Sequence, residues 1–285
     1  MGCPYSITYT ILFVNYLFYI VNMLLLLKNK TFLLFFIGNI TSLIGFGFNL
    51  IAISWMVLEE SGSEYLLGKI MASATAPGLI LAIFAGVIID KLNRKWLLVS
   101  LDIFRLIVVS IFLYFISKFN FEISFLYPVA FFMGLGNSLF WPTAQAFVQE
   151  LVSEKDYFNA NKLLSASYQV GSIFGAGVGG LVVHAYSPIV ALWINILTYI
   201  VSAIFISLAP FKRKNLYTEE KSLFDLIMKG FSYLKKRIDI LILGLTTILS
   251  DVAIWGSLSV LTITISKEVF GKGSLGYGIM DGLYG

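Results

Sequence analysis

Long apolar segments follow one another along almost the whole chain. A helix needs roughly 20 apolar residues to cross the hydrocarbon core of a bilayer. Hydrophobic residues make up 58% of the chain and charged residues only 13%, whereas soluble proteins have about 45–50% and about 25%. The sequence therefore predicts an all-α, polytopic membrane protein that is embedded in a lipid bilayer. The candidate spans are Ile7–Leu27, Phe32–Leu58, Leu66–Ile89, Trp96–Ser117, Phe125–Phe147, Leu163–His184, Ser187–Ala209 and Ile240–Ile265, with a further one that begins near Leu275.

Lysine and arginine are concentrated in every second loop between these segments. Cytoplasmic loops of membrane proteins carry an excess of these residues, so we expect the basic loops to face the cytoplasm and the chain to lie in the plasma membrane. The formal net charge of +4 comes from these loops and does not indicate a nucleic-acid partner. The basic loops contain Lys28 and Lys30; Lys91, Arg94 and Lys95; Lys155 and Lys162; and the stretch from Lys212 to Arg237.

The first apolar segment fits this alternation poorly, because it would place the N-terminus outside the cell with no basic residue before it. Initiation at Met23 would instead give a short cytoplasmic tail, and residues 1–22 would then be upstream read-through. A real extra helix is the alternative.

We expect four parts in the chain: an extra N-terminal segment and basic tail at 1–30, a six-helix bundle at 31–209, a cytoplasmic linker at 210–238, and the first two helices of a second bundle at 239–285.

The linker contains an apolar stripe that is typical of an amphipathic helix. Leu223, Ile227, Phe231 and Leu234 recur at spacings of four, four and three residues, which places them on one helical face. Lysines occupy much of the remaining surface. The stripe predicts a helix that lies on the cytoplasmic surface of the membrane, and a solvated tether is the alternative.

The short loop after the span Leu66–Ile89 combines a glycine, a carboxylate and two cations: Gly86, Asp90, Arg94 and Lys95. Asp90 lies at the C-terminal end of a helix, where the helix dipole disfavours an anion, so it needs a nearby cation or the N-terminus of another helix. Such a paired charge is suited to a gate that opens and closes. For Arg94 and Lys95, an ordinary positive-inside loop is the alternative.

Small residues recur at helical spacing in two of the candidate spans. Gly171, Gly175 and Gly179 follow every four residues, with Gly180 beside them, and Gly78, Ala82 and Gly86 repeat the pattern in an earlier span. Small residues allow helices to approach closely in lipid, where van der Waals packing drives association. Static packing explains either stripe alone, whereas two such helices beside charged loops favour sliding or rocking contacts.

Charged side chains inside the membrane are functional candidates because their insertion costs roughly 2.5–3.5 kcal/mol each. Asp102 and Arg105 are three residues apart, so they can pair on one helix face as a gating or structural pair. Asp251 lies deep in its span without a cation on the same helix, which makes it the best candidate for proton coupling or cation recognition. A carboxylate in a wet cavity is the alternative.

Uncharged polar residues in the spans are candidates for contacting a substrate. Asn39, Asn137 and Gln145 are the strongest of these, and the polar and aromatic residues near Asn137 suit a cavity for an amphiphilic molecule. For each residue taken alone, a hydrogen bond between helices, worth about 0.6 kcal/mol, is the favoured role. The polar residues therefore predict either a binding cavity or interhelical bonds.

The sequence argues against enzymatic chemistry and against a bound metal or cofactor. An intramembrane enzyme needs a nucleophile and a base, or clustered metal ligands, and the chain has one cysteine and one histidine. The phosphate-binding pattern GxxxxGK[ST] of ATP-driven pumps does not occur in the sequence. We therefore expect no catalytic residues, no metal and no cofactor.

The motifs together resemble the major facilitator superfamily, and within it the macrolide-efflux and siderophore-exporter branch. Gly86–Lys95 is similar to the superfamily's loop between its second and third helices, and Gly171–Gly180 resembles the fifth-helix motif of exporters, with Ala176 where that motif has proline. Further branch-like pieces begin at Asp102, Pro142, Gly230 and Gly276.

This resemblance implies two six-helix bundles with the substrate bound between them. The implied function is a secondary transporter that exports a lipophilic or amphiphilic small molecule by alternating access, with protons as a candidate coupling ion. It would act as an antiporter, although Ala176 departs from the antiporter motif. Compared with the superfamily pattern, about four helices of the second bundle are missing, so the alternative is a non-transporting fragment or accessory half-transporter from a truncated gene.

Overall fold

The structure, a computed structural model, describes residues 23–212 and 223–284. Within these ranges the chain is all-helical, as the apolar segments predict, and short 3-10 turns precede α1, α4 and α5. Residues 1–22 lie outside the described ranges, and most of the predicted span Ile7–Leu27 lies there. The α-helices are α1 (Lys30–Ser61), α2 (Glu64–Lys91), α3 (Arg94–Lys118), α4 (Leu126–Leu151), α5 (Tyr157–Ala185), α6 (Pro188–Leu208), α7 (Leu223–Lys236), α8 (Ile238–Thr264) and α9 (Gly273–Tyr284).

In the described part of the chain, five helical segments are long and apolar enough to cross a membrane. These are α1, α3 and α6, together with α4 and α5, each with the turn before it. The helix α2 is a sixth if its two bent arms form one span. The 32 residues of α1 correspond to about 48 Å, longer than the hydrocarbon core of about 30 Å. The ends of α1 therefore extend beyond the apolar stretch from which its span was predicted.

Polar residues end the helices at short turns. Asn29 caps α1, since its side chain accepts hydrogen bonds from the backbone N–H groups of Thr31 and Phe32. Ser63 and Asn93 cap α2 and α3 in the same way, which satisfies backbone donors that have no partner within the helix. Gly62 ends α1 with a φ of 60°, a conformation that glycine adopts without strain. Turns of two residues therefore connect α1 to α2 and α2 to α3.

The first six helices form one packed bundle. α1 packs along both α5 and α6, α2 packs along α4, and α3 packs along α4 and α6. From the second group of helices, α9 packs on α5. The starts of α1 and α3 contact the ends of α4 and α6. We call this the basic end of the bundle, since Lys28, Lys30, Lys91 and Lys95 lie there.

The described apolar core consists of two clusters at different depths in the bundle. One, which includes Phe32, Phe35 and Phe147, lies towards the basic end. The other, which includes Phe48 and Phe112, lies towards the opposite end. Between them the helices present polar and small residues to each other, and the candidate residues Asn39, Asp102, Arg105 and Asn137 lie in this polar layer.

The segment with the predicted amphipathic stripe is helical as α7, which contacts α2 and α8. The side chains of Leu223, Ile227 and Phe231 lie outside the described part of the structure, so the surface location of the stripe stays a prediction. The span predicted at Ile240–Ile265 is helical as α8, followed by a π-helical turn at Ile265–Val269.

Candidate functional site

A cluster of three charged side chains lies at the basic end of the bundle; we call Asp90, Arg94 and Glu150 the loop cluster. Arg94 is the first residue of α3 and its guanidinium donates to Asp90 and to Glu150, each at 2.9 Å. It also donates to the carbonyl of Ala146 at 3.1 Å. Arg94 thus provides the cation that Asp90 needs at the end of its helix, and it ties α2 and α3 to α4.

The two ion pairs of the loop cluster differ in their exposure to solvent. The side chain of Asp90 is 70% exposed, whereas those of Arg94 and Glu150 are 17% and 16% exposed. Exposed ion pairs contribute little to stability and separate easily. The Asp90 pair can therefore break without a large cost, while the Glu150 pair keeps Arg94 on the bundle.

Lys95 points away from the loop cluster. Only 7% of the residue is exposed, and its ammonium donates to the carbonyl of Ala209, just after α6, at 2.7 Å. Its Nζ lies 4.9 Å from the centroid of the Trp96 ring. Arg94 and Lys95 are adjacent in the sequence, but one joins α3 to α4 and the other joins it to the end of α6.

Gly86 does not mediate a close helix contact among the described residues, because a Cβ built there meets no atom within 4 Å. At Gly78 the nearest atom is the Cβ of Ser138 at 3.5 Å, an ordinary contact. The close approach between α2 and α4 instead depends on Gly134, where a Cβ would collide with the backbone of Ala74. The tightest approach of α2 to α4 is therefore at Ala74, against Gly134, and not at Gly78 or Gly86.

A second charged group, which we call the buried cluster, lies in the polar layer: Ser42, Asp102, Arg105, Asn137 and Ser202. Asp102 and Arg105 form an ion pair on α3 and are 0% and 2% exposed. Asp102 accepts hydrogen bonds from Ser42 at 2.8 Å and from Ser202 at 2.6 Å. The carboxylate is thus bonded to α1, α3 and α6.

The Arg105 guanidinium completes the buried cluster towards α4. It donates to Asn137 at 2.8 Å and to Ser42 at 2.9 Å, and its carbon lies 4.3 Å and 4.5 Å from the ring centroids of Phe140 and Tyr199. Such contacts stabilise a cation that is removed from water. The pair that was predicted from its spacing is therefore fully bonded inside the protein, in an arrangement that suits a structural role.

The glycine motif of α5 has two contact surfaces. Gly171, Gly175 and Gly179 face α1, and a Cβ at Gly175 would lie 2.7 Å from the carbonyl oxygen of Ile44. Gly180 faces α9 instead, where a Cβ would lie 2.9 Å from the Cα of Gly278. The same helix therefore packs tightly inside the first bundle and against the second group of helices.

The remaining predicted site residues are in different environments. Asn39 is buried and donates to Ser167 on α5 at 2.7 Å, while Gln145 is exposed on α4. Asp251 lies within α8, but its side chain is outside the described part of the structure. The structure brings Asn137 into the buried cluster and does not join it to Asn39 or Gln145 by a described hydrogen bond.

Sequence reasoning missed Glu150, Ser202 and Ser167 as partners of the candidate residues. A signal existed for α6, because Asn195, Tyr199 and Ser202 are polar positions at spacings of four and three residues, which defines one face of an otherwise apolar helix. For metal binding, the described residues contain no group of three or more His, Cys, Asp or Glu side chains that could hold an ion.

Comparisons with known proteins find a family model that matches this chain and a solved structure with a similar fold. A family model described as a transmembrane secretion effector matches residues 23–285. The crystal structure of the POT family transporter PepTSo superposes with a TM-score of 0.52 at 12% identity, over 90% of this chain and 54% of that one. At this identity the likeness shows the fold alone.

Relatives by sequence are membrane transporters of bacteria. The multidrug efflux pump Tap of Mycolicibacterium fortuitum is 24% identical over 174 residues, which are 59% of this chain and 42% of the pump. BacE of Bacillus amyloliquefaciens, provisionally described as a bacilysin exporter, is 26% identical over 202 residues, 70% of this chain and 50% of BacE. The chain spans about half the length of these curated relatives.

Proposed function

Because the chain belongs to the transmembrane secretion effector family of the major facilitator superfamily, a family of transporters and not of enzymes, we propose that it exports a lipophilic or amphiphilic small molecule. The names of its relatives, an efflux pump and a provisionally described exporter, support the outward direction. Trp141 and Tyr168, whose rings are 5.3 Å apart on α4 and α5, together with the exposed Gln145, form an aromatic and polar surface that suits such a substrate.

The proposed mechanism is alternating access, in which the first bundle rocks against the second. The observation that carries it is the loop cluster, where Arg94 holds Asp90 through an exposed ion pair and Glu150 through a half-buried one. Breaking the exposed pair allows the carboxylate of Asp90 to contact another cation or a helix N-terminus at the cytoplasmic surface. Asp90 with Arg94 then acts as the gate, and the tight contact of Gly180 with Gly278 is a pivot on the opposite side.

The proposed energy source is the proton gradient, with Asp251 as the coupling carboxylate. A carboxylate inside a membrane helix is costly to insert, so the presence of Asp251 in α8 favours a functional role. We place the protein in the plasma membrane with its basic loops in the cytoplasm, as the distribution of lysine and arginine indicates.

The export proposal is tested in bacterial cells that lack their own multidrug pumps. Cells that produce the protein should accumulate less Hoechst 33342, an amphiphilic dye, than cells with an empty vector. The Asp90→Ala variant should restore dye accumulation while its amount in the membrane is unchanged. The matched control is Glu60→Ala, which removes an exposed carboxylate near the C-terminal end of α1, away from the basic end of the bundle. Equal dye accumulation with and without the protein would contradict export of this substrate class.

Coupling is tested in everted vesicles with an imposed pH gradient. We expect Hoechst 33342 uptake to collapse with an ionophore and to lose its dependence on the gradient in Asp251→Asn. Gradient-dependent uptake that survives in this variant would leave Asp251 with a structural role only.

Orientation is tested with single cysteines, because the chain has one natural cysteine, Cys3. In a Cys3→Ser background, a membrane-impermeant thiol reagent should label Glu122→Cys in intact cells. Lys155→Cys should be labelled only after the membrane is opened. The reverse result would place the basic loops outside.

A further inference from the structure

The first residues after α6 are held by side chains from two other helices. The ammonium of Lys95, on α3, donates to the carbonyl of Ala209 at 2.7 Å. The hydroxyl of Thr31, on α1, donates to the next carbonyl, that of Pro210, at 2.9 Å. Two successive carbonyls at the start of the linker are therefore bonded to the basic end of the bundle.

A third contact holds the next residue. The ring of Phe211 meets the ring of Phe147, on α4, edge to face, with centroids 5.1 Å apart. Edge-to-face pairs of this kind are favourable arrangements of aromatic rings. We call Thr31, Lys95 and Phe147, with the three linker residues that they contact, the linker anchor.

The position of Lys95 is unusual for a lysine at a helix start near the membrane surface. Lysine has a long stem that can carry its ammonium out to water, and an ammonium without partners is costly to bury. Lys95 is nevertheless 7% exposed and directs its charge to one carbonyl at the end of α6. The negative end of the α6 dipole favours a cation at this place, so the arrangement gives the buried charge a partner.

We propose that Lys95 is a positioning residue that fixes the start of the linker to the helix end that carries the loop cluster. Lys95 directly follows Arg94, so a displacement of the start of α3 moves the Arg94–Glu150 ion pair and the Ala209 contact together. The first turn of α3 thereby couples the gate to the segment that connects the two groups of helices. The coupling to the gate rests on the proposed function, whereas the contact of Lys95 with the linker depends on neither the substrate nor the direction of transport.

Limited digestion with trypsin tests the linker anchor, because trypsin cleavage sites lie directly after the anchored residues. Lys212, Arg213 and Lys214 follow Phe211 directly, so we expect release of the linker start from the bundle to raise the rate of cleavage there. The exposed residue Arg237, at the other end of the linker, is the reference site. The measurement is the ratio of the two cleavage rates in the purified, detergent-solubilised chain, with fragments identified by mass.

Lys95→Met keeps the stem and removes the charged donor. We expect it to raise cleavage at Lys212–Lys214 by about ten-fold relative to cleavage at Arg237, which corresponds to the loss of a hydrogen bond from a charged group. Lys95→Arg, which can still donate to Ala209, should restore most of the protection. Lys118→Met, at the opposite end of the same helix, is the matched control and should leave the ratio unchanged.

Thr31→Val tests the anchor independently, because it removes only a hydroxyl and keeps the shape of the side chain. The expected increase in the cleavage ratio is smaller, about five-fold, as for the loss of a neutral hydrogen bond. This variant is the test of the linker anchor if Lys95→Met does not fold. An unchanged ratio in Thr31→Val, and in any folded Lys95→Met, would overturn the proposal. Equal acceleration at both sites would overturn it too, since that result indicates general loosening of the fold.

Discussion

Two aspartate–arginine pairs with almost the same spacing have opposite environments in this protein. Asp90 and Arg94 are four residues apart across a turn, and the Asp90 side chain is 70% exposed. Asp102 and Arg105 are three residues apart on one helix and are almost completely buried. The residue types are the same, so the difference in role comes from the surroundings of each pair.

The environment determines how freely each pair can separate. Water screens the Asp90 pair and can solvate both charges when they part, so the pair is weak and reversible. The Asp102 pair has no access to water, and each charge is bonded to neighbouring helices, so removal of one partner leaves the other uncompensated. The first pair suits a moving gate, and the second suits a fixed joint within the bundle.

The largest effect should follow from Asp102→Ala, which leaves Arg105 buried without its anion. Breaking a buried pair costs about 3–5 kcal/mol, so we expect a large loss of folded protein and of thermal stability in detergent. Asp239→Ala, which disrupts the exposed pair of Arg237 and Asp239, is the control and should change stability little. Similar melting curves for the two variants would show that the buried pair has no special structural role.

A double variant sharpens the comparison, because it removes both buried charges at once. In Asp102→Leu with Arg105→Met no uncompensated charge remains, and apolar replacements of buried pairs are often close to neutral. Ser42 and Ser202 lose a partner, so we expect only partial recovery over Asp102→Leu alone. A complete double-mutant cycle measures the coupling, and a double variant as unstable as the sum of the single variants would contradict the fixed-joint interpretation.

An intermediate effect is expected for Glu150→Ala, since its pair with Arg94 is half-buried. A hydrogen bond to a charged group contributes about 1.5–3 kcal/mol, and Arg94 keeps its bonds to Asp90 and Ala146, so the loss should lie near the lower value. Thermal unfolding in detergent measures it, with Glu154→Ala, in the next turn of the chain, as the control. A loss as large as that of Asp102→Ala would mean that the loop cluster is part of the rigid core.

The smallest effect on stability should follow from Asp90→Ala. Exposed pairs four residues apart contribute about 0.3–0.5 kcal/mol, so the melting temperature should hardly change, while dye export should fall several-fold. Moderate salt should also weaken the Asp90–Arg94 pair of the wild-type protein, because salt screens exposed charges. Normal export by this variant would remove the gate from the mechanism, whatever its stability.

The sequence predicted the fold class well, because length and hydropathy are local properties. The span predicted at Phe32–Leu58 is the core of α1, Lys30–Ser61, and the span at Trp96–Ser117 is the core of α3, Arg94–Lys118. These two helices are longer than the predicted spans because hydrogen bonding continues beyond the hydrocarbon and ends at polar caps such as Asn93. Pattern recognition of this kind finds elements and not their partners.

The candidate site was predictable only in part. The spacing of Asp102 and Arg105 indicated a pair, but Ser42 and Ser202 are 60 and 100 residues away from Asp102 along the chain. A local pattern cannot reveal such contacts, because they depend on which helix faces pack. The same limit applies to Lys95, which has its partner 114 residues away.

The sequence by itself determined the membrane location of the helices, the family, and the positions of the charged and glycine-rich motifs. These follow from apolar length, residue type and spacing, which need no knowledge of packing. Only the tertiary structure decided which aspartate is exposed and which is buried, and that Lys95 faces the end of α6 while Arg94 faces α4. The physical reason is that burial and hydrogen-bond partners are properties of helix–helix contacts, and residues next to each other on a helix point to different neighbours.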